Sequence, residues 1–206
     1  MDYAAALLGL AIVHLLAVAS PGPSTVLVIQ TAAAAGRRAA LLAAFAMMLG
    51  ALVWAAAALY GLQILFARFD WLYAAFRIGG ALYLLYLAVM LLRHAGAPLP
   101  EVSLAAGPAG HWHGFLRALA LQLSNPKVMV FMGSIFVSLL PPQPPAWMDA
   151  TVLAIVAFNE FAWFALLGLL FSGDSARAFY RRTKLWLDRL MGGMLGALGL
   201  KLAFDR

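Results

Sequence analysis

The chain contains no cysteine, so neither a disulfide nor a thiolate metal site is open to it. Charge is scarce as well: 11% of its 206 residues are Asp, Glu, Lys or Arg, where a soluble domain carries about a quarter. There is no glycine loop ending in Gly-Lys-Ser/Thr to cradle ATP phosphates, no His-Glu-x-x-His, and no His/Asp/Glu cluster suited to a metal. These absences argue against an ATP-driven pump and a metalloenzyme, and no cofactor is implied. A basic start is missing too. Asp2 and no Lys or Arg precede the first apolar run, so Ala17-Val18-Ala19 reads as part of a span that is kept, not as a signal cleavage site.

What remains is apolar. Hydrophobic residues make up 65% of the chain and the mean hydropathy is +0.92. Several runs reach the roughly 20 residues that cross a bilayer as a helix, which makes this an all-α polytopic membrane protein with lipid as its surroundings. The net charge of +6 does not mark a nucleic-acid binder, because the basic residues sit between the apolar runs, where they set orientation.

Six spans are predicted within a single transmembrane domain, 1–206. They cover residues 3–35, 39–67, about 72–92, 112–140, 147–171 and about 190–204, with a Pro/Gly/Ala-rich linker at 94–111. A straight helix over 3–35 would be roughly 50 Å long against a hydrocarbon core of about 30 Å, so it must break or kink. The last span, at roughly 22 Å, should be short or leaning. With the N-terminus outside, nine Lys and Arg fall in inside loops and four outside, with Lys127 left at membrane depth. That balance predicts both termini on the periplasmic side.

Three spans, a linker and three spans suggest a duplication whose second copy is inverted, repeat one being 1–93 and repeat two 112–206. The first and fourth spans are each interrupted by a polar, proline-containing sequence, Ser20-Pro21-Gly22-Pro23-Ser24 and Ser124-Asn125-Pro126-Lys127. Gly79-Gly80 and Gly192-Gly193 open the third and sixth spans and are followed by matching leucines. Paired breaks at matching places in two halves point to a transporter's central site.

The chemistry of the breaks supports this. Pro21 and Pro23 offer no N–H, so each frees a carbonyl one turn earlier. In hydrocarbon such groups survive only where protein or water meets them. Ser20 and Ser24 add hydroxyls, Gly22 allows close approach to the backbone, and the helix restarting near Ser24 aims its positive end at the break, which suits a carboxylate. A simple packing kink is the other reading of this motif taken alone. In the second break, Asn125 brings donors and an acceptor, Pro126 frees another carbonyl, and Lys127 places a cation halfway along its span. An intramembrane cation is functional by default, here as an anion site or as the partner of a fixed acid.

Glu160, beside Asn159 in the fifth span, is the acid read as lying deep in a span. It can exchange a proton during transport, bind a substrate ammonium, or simply neutralise Lys127. His14, about two turns before the first break, is paired with it as a proton-coupling candidate, a packed neutral histidine being the plainer reading. Gln30, Gln63 and Gln122 are weaker candidates, and eight glycines, including Gly50, Gly61 and Gly193, are expected to allow close helix packing.

Pro21-Gly22-Pro23, then Gly36-Arg37-Arg38-Ala39, then the stretch from Arg77 through Gly79-Gly80 to Leu87, then Asn125-Pro126-Lys127 resemble, in order and spacing, the LysE/RhtB family of amino-acid exporters. The resemblance covers nearly the whole chain. It implies export of small amino acids or their derivatives across the bacterial inner membrane, driven by the proton gradient, with the two breaks as the transport site. Many members carry Asn or Asp where this chain has Ser24, and often an acid near Ala51. Both positions are less polar here, which argues against basic substrates such as lysine. The competing functions are a cation or metal exporter of the wider superfamily, a membrane enzyme acting on lipid-like substrates, and a structural subunit. A homodimer is compatible with the sequence.

Overall fold

The computed structural model describes residues 3–20, 22–68, 70–95, 97, 111–141, 144–171 and 174–204. Pro21 of the first break and most of the linker lie outside them. Every regular element among the described residues is an α-helix: α1 (Tyr3–Ala19), α2 (Pro23–Arg68), α3 (Asp70–Arg93), α4 (His111–Leu123), α5 (Pro126–Leu139), α6 (Ala146–Leu170) and α7 (Asp174–Phe204).

The helix boundaries follow the proline chemistry. α1 stops at Ala19, ahead of two prolines that cannot donate to its last turn, and α2 starts with Pro23 in the first turn, where a missing N–H is harmless. α4 stops at Leu123, and α5 starts at Pro126 behind Asn125, whose side chain caps it. α1 has 17 residues and α5 has 14, giving about 26 and 21 Å, so neither alone crosses a hydrocarbon core of about 30 Å.

Two elements differ from the sequence expectation. The spans over 3–35 and 39–67 are not separated by a loop at Arg37-Arg38. Instead α2 runs 46 residues with one non-helical residue inside it, Gly36 at φ 79° and ψ −179°. That backbone conformation is open essentially to glycine alone, so one residue performs the turn. The last helix is not short: α7 has 31 residues and takes in the basic stretch 177–189. No glycine or proline lies between Asp174 and Gly192, and the Arg, Lys, Leu and Ala there are good helix formers.

α2 packs along α6 and α4, α3 along α7 and α5, and α1 against α6 and α5. The core has two clusters. Leu10, Leu84, Phe131, Ile135 and Val152 belong to one, and Val28, Met47, Phe164 and Phe171 to the other. Large apolar side chains also cover the outside, among them Leu8, Val53, Leu82 and Phe158. So many large apolar side chains on the outside suit lipid better than water. By length and composition, Pro23–Gly61 and Ala146–Leu170 can each cross a membrane.

Candidate functional site

The two breaks meet. Ser24, in the first turn of α2, donates its Oγ proton to Gln122 Oε1 at 2.8 Å and accepts from Asn125 Nδ2 at 3.4 Å. The same Asn125 side chain accepts from the Lys127 backbone N–H at 3.0 Å, capping α5. One amide therefore closes its own helix start and ties it to the other.

Each break also finds an outside donor for a carbonyl that its proline sequence releases. Ala17 O would receive the N–H of residue 21 in a continuous helix, and that residue is a proline. Lys127 Nζ donates to it instead, at 3.4 Å. Leu123 O would receive the N–H of Lys127, which has turned to Asn125. The indole Nε1 of Trp54 on α2 donates to it at 3.1 Å. Within the first break, Thr25 Oγ1 donates to Ser20 O at 3.4 Å. Polar backbone is thus retained at the breaks because side chains from other helices satisfy it.

Beneath the breaks, Gln122 Nε2 donates to Glu160 Oε2 at 3.3 Å. His14 Nε2 lies 3.9 Å from Glu160 Oε1, longer than a hydrogen bond. Asn159 Nδ2 donates to Ala11 O at 2.9 Å, which fixes the orientation of its amide, and the same nitrogen is 3.3 Å from His14 Nδ1. A neutral imidazole that accepts at Nδ1 carries its proton on Nε2, the atom facing Glu160. A polar chain thus runs from Asn125 through Ser24, Gln122 and Glu160 to His14, drawing on four helices and the break between α4 and α5.

These groups line a cavity of about 50 Å³. Of the sequence-predicted residues, His14, Ser20, Gly22, Pro23, Ser24, Asn125, Lys127 and Glu160 all face it. Pro126 opens α5 between Asn125 and Lys127, and Pro21 lies outside the described residues. Ser20 is buried, and among the described residues its Oγ has no hydrogen-bond partner. The remaining wall is apolar, from Val128, Phe131, Met132 and Phe164 among others. Lys127 and Glu160 face the same space without forming a direct ion pair, and each feels the other's charge.

Comparison with known proteins fixes the class. The family model described as LysE type translocator matches residues 15–206. The chain belongs to that family. This makes it a membrane transporter and not an enzyme. The translocator is 31% identical over 205 residues to a protein of Escherichia coli K12 named threonine efflux protein, covering 97% of this chain and 98% of that one. It is 31% identical over 202 residues to the threonine efflux protein of Salmonella typhi, covering 95% and 96%. An E. coli K12 protein named uncharacterized membrane protein YahN is 30% identical over 188 residues, covering 90% and 83%. No solved structure matches the chain.

Four residues in or beside the candidate site were underweighted or missed in the sequence. Gln122, ranked with the weaker glutamines, is buried and joins Ser24 to Glu160. Its one signal was its place three residues before Asn125, in the last turn before the break. Asn159 holds the His14 ring, and Thr25 closes the first break. Asp188 is a second buried acid, at 2% exposure, and its charge reaches Lys127. It was missed because the basic residues around it read as a loop. Among the described residues, no three His, Cys, Asp or Glu side chains come together to hold a metal.

Proposed function

We propose that this translocator exports small neutral amino acids, threonine first among them, across the bacterial inner membrane in exchange for protons. The observation that carries the reading is the cavity at the junction of two helix breaks, lined by Lys127, the starts of two helices, a serine hydroxyl with capacity to spare and Glu160. Lys127 and the N-terminal ends of α2 and α5 suit a carboxylate. Ser20, Ser24 and Gln122 offer partners for a side-chain hydroxyl, and the apolar wall leaves room for a methyl group. The names of the similar E. coli and Salmonella proteins support threonine. Ser24 and Ala51, where an acid would favour lysine, support a neutral substrate.

The transport frame follows from the same residues. α1 with the α2 segment before Gly36, the rest of α2, and α3 make one set of three spans. α4 with α5, then α6 and α7, make the second, inverted set. The packing of α2 on α6 and of α3 on α7 pairs the proposed counterparts and supports this frame. The excess of Lys and Arg in alternate loops supports periplasmic termini. A cavity of about 50 Å³ is a third of the ~150 Å³ that holds benzene in a dry protein site, so an amino acid enters only after the helices part. Alternating access needs such a widening.

The test is a panel of amino acids and dipeptides against cells overproducing the protein, followed by purified protein in liposomes. Protection against excess threonine, and threonine movement driven by a pH gradient, are expected. If no amino acid protects cells and none moves in liposomes, the reading is wrong. Metal movement in the same liposomes would favour a cation exporter instead.

A further inference from the structure

We infer that Glu160 is one site with two alternative occupants, a proton or the ammonium group of the exported amino acid, and that their mutual exclusion couples export to proton entry. The inference rests on the exporter reading above and adds where and how the coupling is made.

The first observation is unspent hydrogen-bonding capacity. Glu160 is 3% exposed, yet its two oxygens have one long hydrogen bond, 3.3 Å from Gln122, and a His14 nitrogen at 3.9 Å. A carboxylate accepts at about four positions and prefers distances of about 2.7–2.9 Å from a charged donor. A buried carboxylate held so loosely has room for a stronger occupant from the cavity it faces.

The second observation is that the opposite charge is nearby and not joined to it. Lys127 Nζ is on Ala17 O, and the nitrogen near Glu160 is Nε2 of the neutral His14 ring, 3.9 Å away. A closed Lys–Glu pair would fill both sites with protein. An open pair across a small cavity presents an anion and a cation to the same ligand. An α-amino acid carries its carboxylate and ammonium on neighbouring atoms, and few other metabolite classes do.

Charge arithmetic supplies the exclusion. With Glu160 ionised, Lys127 and Glu160 sum to zero, and a zwitterion adds nothing, so every charge in the cavity has a partner. With Glu160 protonated the cavity keeps the charge of Lys127 alone, and an entering ammonium meets a like charge and no carboxylate to balance it. Facing Glu160 are His14 from α1 and Lys127 from α5, while Asp188 of α7 acts on Lys127. α2 and α4 contribute the uncharged Ser24 and Gln122.

The cycle balances without a covalent step. On the cytoplasmic side Glu160 gives up its proton to water and its carboxylate takes the ammonium. On the far side the amino acid leaves and a proton from that side returns to a Glu160 oxygen. One proton enters per zwitterion exported, and one positive charge moves inward per cycle. Gln122 connects the occupied carboxylate to Ser24 and Asn125, so exchange at Glu160 is felt at both helix starts.

The experiment uses purified wild-type protein with threonine as probe, or the amino acid of the panel that it carries best. In weakly buffered solution, threonine binding should release up to one proton per molecule bound, and on the acid side Kd should weaken about tenfold per pH unit. The deaminated analogue, with its carboxylate and hydroxyl kept, should bind without that proton release. Glu160→Gln should lose the pH dependence, the proton release and the preference for threonine over the analogue. Liposomes holding a potential should show threonine export moving net charge. Threonine affinity flat from about pH 5 to about pH 9 with no proton release would overturn the shared site while leaving the exporter standing. Failure of the wild type to carry any amino acid would overturn the exporter reading itself. If Glu160→Gln does not fold, the wild-type proton count decides alone.

Discussion

A β-carbon at Gly50 would stand 2.8 Å from both Cβ and Cγ of Gln122. α2 and α4 are this close because position 50 has no side chain, and the root of Gln122 rests in the space. The glutamine then has one direction to extend, toward Ser24 on one end of its amide and Glu160 on the other. Gly50 has no polar side chain of its own, yet it seats the bridge between the breaks and Glu160.

Gly50→Ala should therefore act through Gln122. The clashing atoms are the stem of the side chain and not its mobile end, so α4 or Gln122 must shift, at a cost of about 1–3 kcal/mol. A lower unfolding temperature in detergent and at least a tenfold slower transport are expected. Adding Gln122→Ala should recover stability only in part, since it removes the Cγ clash and keeps the Cβ one, while transport stays low because the bridge is then gone. Wild-type transport by Gly50→Ala would sink the idea that Gln122 needs its seat.

Lys127→Met should keep the helix, since Asn125 caps it through the Lys127 backbone and not through its side chain. It removes the cation and leaves Ala17 O without its donor. Loss of a buried charged partner costs about 2–5 kcal/mol, so substrate affinity should fall by thirtyfold or more. The amino alcohol analogue, which lacks the carboxylate, should bind Lys127→Met at least as well as wild type, because the repulsion between its ammonium and Lys127 is gone. Equal loss for both ligands would mean that Lys127 supports the fold and does not hold the carboxylate.

The breaks were legible because their physics is local. Proline removes a donor wherever it stands, and a lysine in mid-span is costly whatever surrounds it, so Pro21-Gly22-Pro23 and Asn125-Pro126-Lys127 stood out. Gln122 did not, because its value lies in partners 98 and 38 residues away. Asn159 likewise depends on His14, 145 residues distant. Glycine was legible as a packing residue only in type: a Cβ at Gly50, Gly80, Gly192, Gly196 or Gly199 would meet a neighbouring helix, whereas one at Gly61, Gly79 or Gly193 would meet nothing within 4 Å. The length of α7 was missed because charge was read as a loop signal, although a helix can carry Arg177 to Arg189 on its way out of the apolar layer.

Trp54→Phe isolates the backbone accounting at the second break. Phenylalanine keeps most of the ring's bulk and removes the Nε1 donor to Leu123 O. A fully buried carbonyl left without a partner costs about 1–3 kcal/mol, and the part-buried Leu123 carbonyl should cost toward the lower end. The unfolding temperature should drop, with substrate affinity changed less than in Lys127→Met, because no charge is lost. Unchanged stability would mean that the Leu123 carbonyl finds water or another donor when the indole is removed.

Gly36 separates conformational strain from packing more cleanly than any other position. Its φ of 79° and ψ of −179° lie where a Cβ is disfavoured, and the space around it is empty within 4 Å. Gly36→Ala should therefore cost about 1–3 kcal/mol through the backbone alone. Gly193→Ala is the control: it sits inside α7 with equal room, and there alanine should stabilise by about 0.5–1 kcal/mol through helix propensity. Thermal unfolding of the two variants side by side should move in opposite directions. If Gly36→Ala unfolds no earlier than Gly193→Ala, the turn between the first part of α2 and its continuation does not depend on glycine. Should it unfold earlier and also transport more slowly than its stability loss explains, that turn is where the helix start bearing Ser24 moves when the cavity widens.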